Sequence, residues 1–516
     1  MHRKRTFSVH LLYMLEEHAA RRLEAIGRLG FINPFGEERR ALEALILGDD
    51  AVASSAWSRP LEWSLEDPVL QAIQREAEAQ MKIAQARLAQ GEHASERERE
   101  LVRGVALYVL YYRYEQAFYL EIIADTASPQ IDFYEAFCDD FTELLEHVGP
   151  PSWGRTPAQL FAIFFQSRRA FHFVYHQILG TSRAAAALRT SVWESVFTHD
   201  PLRYLDHLHG RMHEVSTLIL GPSGTGKELV ASAIGLSRFI GFDVKRRRFR
   251  TDFRDQFHAL HVAAMSKTLI ESELFGHKKG AFTGAGEDRA GHLEGKWPSD
   301  TVFLDEIGEL DGEVQVKLLR VLESRKFHRL GDTQSREFGG KVVAATNRDL
   351  SEEMAAGRFR GDLYYRLCAD IIHTPSLRAQ LGGSLDELRH LVTVILQRTL
   401  GSAEPELIDG IVCGIDDSVG VSYSWPGNMR ELEQCVRNLL IHDRYTPPDA
   451  VTPAGGLQAL FSEMQGAQAD MDRVMSAYST WVYAQKGSFE KAARALGVDR
   501  RTVSKYVDRE LLDELE

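Results

Sequence analysis

The chain has 516 residues, 44% hydrophobic and 26% charged, with a formal net charge of -13 at pH 7. Such a composition suits soluble globular domains, and the length suggests three or four, each able to bury its own core. A chain this acidic is excluded as a general polyanion binder, so any nucleic-acid contact must come from a local basic patch.

Cys138, Cys368, Cys413 and Cys435 lie far apart with no CxxC pair. Neither a zinc site nor a disulfide framework is indicated, and reduced thiols in a cytosol are expected. The opening MHRKRTFSVHLLYMLEEHAARRLEAI has a basic flank, but Glu16, Glu17 and Arg21 interrupt its apolar run. It reads as an amphipathic helix and not as a signal peptide. In GVALYVLYYRYEQAFYLEII, Arg113 and Glu115 argue for a buried helix over a membrane span. The expected location is cytoplasmic, with no membrane partner.

Residues 1–176 predict an all-α regulatory or sensor domain. Apolar residues recur at three- and four-residue spacing over 66–90 and 95–125, with breaks near Pro60, Ser128-Pro129 and Pro150-Pro151. No strand-ending Asp with a downstream Lys marks a phosphoacceptor receiver. Aromatic stripes such as LFAIFFQSRRAFHFVYH are more often core than pocket. The inducing signal is unknown: a small molecule, a partner protein or the chain itself.

Residues 177–375 alternate short apolar runs with helical segments. The runs are STLIL at 216–220, FHALHVA at 257–263, DTVFLDE at 300–306 and KVVAAT at 341–346. This predicts an α/β subdomain with a parallel sheet covered by helices on both faces. A helical lid is expected over 376–445, a Pro- and Gly-containing linker over 446–470, and a small helical module over 471–516.

STLIL runs into Gly221, Pro222, Ser223, Gly224, Thr225, Gly226, Lys227 and Glu228, followed by a helical pattern. Strand, glycine-rich loop and helix N-terminus together form a phosphate cradle, with Lys227 reaching the β- and γ-phosphates of ATP. The usual hydroxyl after the lysine is replaced by Glu228, so Mg²⁺ must rely on other groups. Asp305 and Glu306 supply them at a strand end: Asp305 to hold Mg²⁺, Glu306 to polarise the attacking water. Asn347, after the next strand, can orient that water; alone it would more often be a turn residue. Arg360 and Arg366 read either as surface arginines paired with Asp362 or solvent, or as arginine fingers reaching a neighbouring subunit of a ring. Arg430 starts a lid helix, where it can contact phosphate in its own subunit.

Together with ESELFGHKKGAFTGA at 271–285, the ordered motifs GPSGTGKE, VFLDEIGEL, QVKLLRVLE, AATNRDL, FRGDLYYRL and WPGNMREL resemble the sigma-54-dependent enhancer-binding activators, AAA+ ATPases. The resemblance covers roughly 178–445 and, more loosely, the C-terminal module. Glu after the lysine is normal in that family. The resemblance implies that Gly280, Ala281, Phe282, Thr283, Gly284 and Ala285 touch the sigma factor and move with nucleotide state. A ring of six or seven subunits would spend ATP to open closed complexes of sigma-54 RNA polymerase. Two glycines make a pliable tip that presents or withdraws Phe282 and Thr283.

His261 stands where the family usually carries an Asn that holds the catalytic glutamate. A hydrogen bond from His261 to Glu306 is expected, with altered coupling between sigma contact and hydrolysis. KRRRFR at 245–250 lies in an apparent insertion and reads as a solvated charge run, with nucleic-acid contact the alternative. His172/His176 and His209/His213 have i,i+4 spacing but lack a third ligand, so metal binding is disfavoured.

GSFEKAARALGVDRRTVSKYV at 487–507 has a helix-turn-helix cadence, with Ala492, Ala493 and Leu496 inward and Gly497 at the turn. Residues 485–507 carry six basic and two acidic side chains in an otherwise acidic chain. Arg500, Arg501, Thr502, Ser504 and Lys505 are expected to face double-stranded DNA. The module looks like the Fis-type ending of many family members. The other readings are a DNA-binding regulator with weak ATPase activity and an AAA+ remodeller of another partner.

Overall fold

Residues 19–48, 67–90, 94–295, 297, 299–420, 423–447, 470–508 and 512 are described in this computed structural model. The start of the expected opening helix and nearly all of the expected linker lie outside them. By internal contacts the chain forms two compact units, one of 1–416 with 420–437 and one of 417–419 with 438–516. Among the described residues no helix is long and apolar enough to cross a membrane.

After a helical segment over 19–29, the first unit continues with helices α1 (Glu38–Leu47), α2 (Pro68–Ala89), α3 (Glu96–Ile123), α4 (Tyr134–Leu145), α5 (Pro157–Gln177) and α6 (Arg183–Phe197). Their starts follow from the sequence. Ser95 and Glu98 close a capping box on α3. Thr156 and Gln159 do the same on α5, with Pro157 in the first turn, where its missing N–H costs nothing. The aromatic stripes are core. Phe118, Phe137 and Phe161 are fully buried. Their rings meet edge-on, Phe161 lying 4.9 Å from Phe118 and 5.0 Å from Phe137.

The α/β part continues through β1 (Thr217–Leu220), α7 (Lys227–Leu236), β2 (Phe242–Asp243), β3 (Arg248–Phe249), β4 (Phe257–His261), α8 (Lys267–Phe275), β5 (Thr301–Asp305) and α9 (Gly312–Ser324). It is completed by β6 (Lys326–Phe327), β7 (Arg336–Glu337), β8 (Lys341–Thr346), α10 (Gly361–Leu367) and β9 (Asp370–His373). The order β4-β5-β8-β1-β9 makes a five-stranded sheet, parallel throughout. Alternation along each strand feeds two cores. Leu218, Val302, Leu304 and Val342 face one, with α9 behind them. Ile219, Phe303, Val343 and Ile372 face the other, against α7. The sheet has one strand more than the four apolar runs suggested, β9 being a short DIIH segment. Helices α11 (Leu385–Leu400), α12 (Pro405–Val419) and α13 (Asn428–His442) follow.

Helix α5 belongs to both regions, packing on α3 and α4 and along α7. The KRRRFR run occupies the β2–β3 hairpin between α7 and β4. Lys245, Arg246, Arg248 and Arg250 are exposed, as a solvated run should be. Arg247 instead pairs with Glu135, and its carbonyl accepts from Ile131 N at 2.7 Å. The aromatic residues of the hairpin anchor it. Phe249 stacks on Phe165 with centroids 3.9 Å apart, and Phe242 lies 4.4 Å from Tyr134 and 4.8 Å from Phe161.

The second unit contains α14 (Met471–Lys486), α15 (Phe489–Leu496) and α16 (Arg500–Tyr506). Val482, Ala492, Ala493 and Val503 form its small core, with Leu496 and Val498 packed on it. Gly497 takes φ 69° to end α15, and the Asp499 carboxylate caps α16.

Phe242 is the buried pin of the hairpin, at 6% exposure. Phe242→Ala is expected to lower stability of the first unit by about 3 kcal/mol, read as a drop in denaturation midpoint. An unchanged midpoint would show that the hairpin is only loosely held.

Candidate nucleotide site and protruding loop

The P-loop connects β1, an interior strand between β8 and β9, to α7 and is fastened from two sides. On one side, a Cβ at Gly221 would meet Thr374 Oγ1 at 2.1 Å, and Thr225 Oγ1 lies 2.7 Å from the same hydroxyl. On the other side stands the WPGNMR turn before α13. Asn428 Nδ2 donates to Ser223 O at 2.8 Å, Met429 N donates to Gly224 O at 3.0 Å, and Arg430 Nη1 donates to Ser223 Oγ at 3.3 Å. Gly224 has φ 77°, and a Cβ there would sit 2.3 Å from Gly427 O. Glycine is thus required both by conformation and by close approach.

Lys227 is buried, its Nζ donating to Gly221 O at 3.0 Å and to Pro222 O at 3.2 Å. Burial lowers its pKa, while the carboxylates of Glu306 and Asp305 oppose that shift. Glu306 Oε1 is 4.0 Å from Nζ.

Asp305 ends β5, and Glu306 follows in the left-handed region at φ 56°, ψ 50°. Glutamate rarely adopts that conformation, at a cost of about 1–2 kcal/mol. Two bonds from the adjacent strand end hold its carboxylate. Thr346 Oγ1 donates at 3.3 Å, and the Asn347 backbone amide donates at 3.1 Å, both to Oε2. Asn347 therefore contributes its main chain here, and its side chain is exposed. His261 does not make the expected bond to Glu306. Parallel register places it beside Asp305, and its Nδ1 lies 3.2 Å from Asp305 Oδ2. Sequence order could not reveal this, because register decides which of two successive acids faces the imidazole.

Glu228 lies in the first turn of α7. The lid also grips the Gly180-Thr181 turn, Glu387 of α11 accepting from Thr181 N at 2.9 and 3.0 Å. Arg360 precedes α10 as its cap residue and pairs bidentately with Asp362 at 3.0 and 2.7 Å. Arg366 is exposed and makes no ion pair among the described residues.

The 276–289 segment is a stalk with a tip. His277 and Arg289 exchange backbone bonds of 2.9 Å, and Lys278 N donates to Leu330 O at 3.0 Å, tying the stalk to the β6–β7 hairpin. Gly280 and Gly284 have φ 81° and 103°, and a Cβ added at either would meet nothing within 4 Å. Gly280 N donates to Ala285 O at 2.8 Å and closes the tip. Ala281 and Phe282 are half-buried, Thr283 is exposed and Ala285 is buried. The Phe282 ring stands edge-on to His277 at 5.0 Å. Its apolar face is thus partly withdrawn, while the Thr283 hydroxyl is offered to solvent.

In the second unit, Arg500, Arg501, Ser504 and Lys505 are exposed and line one shallow face of α16. Thr502 does not join them: its N and Oγ1 donate to Asp499 at 2.8 and 3.0 Å, completing the cap. Among the described residues no three His, Cys, Asp or Glu side chains cluster as metal ligands. The His172 and His176 rings lie 4.3 Å apart, tilted by 36°, and burial pushes the His172 pKa down to about 3.

A parallel sheet with a glycine-rich loop on an interior strand, an acidic strand end one strand further across and a helical cap defines an AAA+ P-loop core. Residues 203–373 match the family described as Sigma-54 interaction domain. Over 290 residues the chain is 38% identical to the sigma-54-dependent transcriptional activator SfnR of Pseudomonas putida, spanning 55% of this chain and 73% of that one. Over 302 residues it is 39% identical to the Nif-specific regulatory protein of Azotobacter vinelandii, spanning 56% of this chain and 53% of that one. Over 312 residues it is 36% identical to the transcriptional regulatory protein ZraR of Klebsiella oxytoca, spanning 57% of this chain and 64% of that one. The match thus spans little more than half to under two thirds of the latter two proteins. The chain belongs to the sigma-54-dependent transcriptional activators.

Because any Cβ at Gly224 collides with the Gly427 carbonyl, Gly224→Ala is expected to unlatch the loop from the WPGNMR turn. Thermal unfolding should report a loss of roughly 1–3 kcal/mol. A variant as stable as the parent would show that the latch carries no energy.

Proposed function

We propose that the chain is an ATP-driven transcriptional activator. It binds enhancer-type double-stranded DNA through α16 and remodels closed complexes of sigma-54 RNA polymerase through the 280–285 tip. The observation that supports this reading best is the pairing, in one unit, of the anchored Glu306 carboxylate beside Lys227 with a glycine-hinged tip exposing Thr283.

In this reading the amides of Gly224, Thr225, Gly226 and Lys227 receive the phosphates of ATP, and Lys227 Nζ exchanges its loop carbonyls for phosphate oxygens. Asp305 suits a hard divalent cation: it is a strand-end carboxylate with one oxygen engaged, by His261. Asp305 would hold Mg²⁺, which supplies charge neutralisation on the phosphate oxygens. Glu306 accepts a hydrogen bond from the attacking water and so polarises it, and Thr346 and Asn347 fix its aim. His261 then acts on the cation-holding carboxylate, so coupling would be altered at Asp305 and not at Glu306. Arg360 and Arg366 stand on an exposed segment suited to a neighbouring protomer of a six- or seven-membered ring. Arg360 must first release Asp362. Arg430 remains beside Ser223 in its own subunit.

The direct test is transcription from a sigma-54 promoter with purified full-length protein, with and without ATP. Activation is expected with ATP alone. Glu306→Gln should retain nucleotide binding and lose at least ~100-fold in phosphate release, abolishing activation. ATP-independent activation, or full activity in that variant, would refute the reading. For DNA, Arg501→Ala is expected to weaken binding about tenfold or more and flatten the salt dependence, with ATPase unchanged. Equal affinity at moderate salt would remove α16 from the interface.

A further inference from the structure

The β2–β3 hairpin carries charge that the nucleotide chemistry does not use. Residues 241–250 hold five basic side chains, Lys245, Arg246, Arg247, Arg248 and Arg250, against one acid, Asp243, in a chain of net charge -13. Glu135 neutralises Arg247. Arg246 lies 4.0 Å from Asp243, whose Oδ1 already accepts from the amides of Lys245 and Arg246 at 3.0 and 3.2 Å. Lys245, Arg248 and Arg250 make no ion pair among the described residues.

These three cations are fixed in place by the fold. Alternation along β3 turns Phe249 onto Phe165 and leaves Arg248 and Arg250 exposed on the other side, about 7 Å apart along the strand. The hairpin pairing runs on to Arg250, whose N donates to Gly241 O at 3.0 Å. A Cβ at Gly241 would lie 3.4 Å from Arg250 Nε, so that side chain lies across the hairpin. A hollow of about 240 Å³ opens beside Arg248 and Arg250. The acids in its wall are engaged, Asp252 by Arg254 and Glu121 by the Ser128 hydroxyl. Like charges held this close repel one another, and an external polyanion would relieve that.

We propose that this hairpin face is a second DNA contact, one that grips the phosphate backbone of duplex DNA without reading its sequence. Arg248 and Arg250 are spaced to meet neighbouring phosphates of one strand, and Lys245 at the turn meets a third. The chemistry of the face selects this partner. Single-stranded nucleic acid is held by stacking on exposed rings, and here Phe242 and Phe249 are turned inward. A protein interface is anchored by an apolar centre, and Val244, 52% exposed, is the one exposed apolar side chain of the hairpin. An anionic membrane likewise takes an apolar wedge beside the basic residues. The two strands have two residues each, too short for a ribbon that enters the major groove and reads base edges. The contact is independent of α16 and of the ATPase reading. Where both contacts hold, each strengthens the other through effective concentration.

Fluorescence anisotropy with a labelled duplex of arbitrary sequence tests this in the full chain carrying Arg500→Ala and Arg501→Ala, which strips two charges from α16. Saturable, salt-sensitive binding is expected. Replacing Lys245, Arg248 and Arg250 together by Ala should weaken it about tenfold or more and make the salt slope shallower by about three, one for each phosphate contact. Basal phosphate release should stay the same. Equal binding by the triple variant, or no binding at low salt before the triple change, would overturn the proposal. So would tighter binding of phosphatidylserine vesicles, polyglutamate or single-stranded DNA than of duplex at equal charge. If the triple variant does not fold, a photocrosslinker at the exposed Val244 decides: p-benzoylphenylalanine placed there should crosslink to the duplex, and its failure to do so would overturn the contact. Unchanged affinity on Arg501→Ala alone counts against α16 and leaves the hairpin contact standing.

Discussion

Glu306 is held where a glutamate does not settle by itself. Its backbone sits at φ 56°, and two donors from the end of β8 grip one carboxylate oxygen. That placement needs β5 and β8 to be adjacent, parallel and in register, with Asp305 opposite Ala345. The buried strand interiors make that register costly to slip, because a one-residue shift would turn each core face towards the other. Sheet packing thus fixes the angle of a single carboxylate. The strain is tolerated because the surrounding core determines it several times over.

The loop opposite Glu306 is under similar control, from the turn before α13. Ser223 and Gly224 are bonded by Asn428, Met429 and Arg430, and Asn428 Oδ1 also accepts from Leu377 N at 2.8 Å. One asparagine side chain therefore joins the P-loop, the WPGNMR turn and the segment after β9. In the proposed function, phosphate entering the loop draws Arg430 Nη1 away from Ser223 Oγ, giving a physical route from nucleotide state to lid position. The tip at 280–285 has the opposite character. A side chain at Gly280 or Gly284 would meet nothing within 4 Å, so little packing resists movement of the tip.

Much of the core was legible because its determinants are local. Four apolar runs bounded by polar residues became β1, β4, β5 and β8, and cap residues such as Ser95, Thr156 and Asp499 start helices where the pattern says they should. The short β9 escaped because four residues after a helix carry too little periodicity. What the sequence withheld is long-range. The imidazole of His261 reaches Asp305 through strand register, across 44 residues. The latch between Asn428 and Ser223 joins positions 205 apart. The KRRRFR run advertised its charges, whereas Phe242 and Phe249 beside them do the docking. Thr502 looked like a contact residue by position, yet its hydroxyl belongs to the cap.

In the proposed function, work done at Glu306 is delivered through the tip. Promoter opening and phosphate release, measured together for Thr283→Ala, separate the two. Near-normal phosphate release with no open complexes is expected. Open complexes formed at the wild-type rate by a tip without that hydroxyl would overturn the coupling.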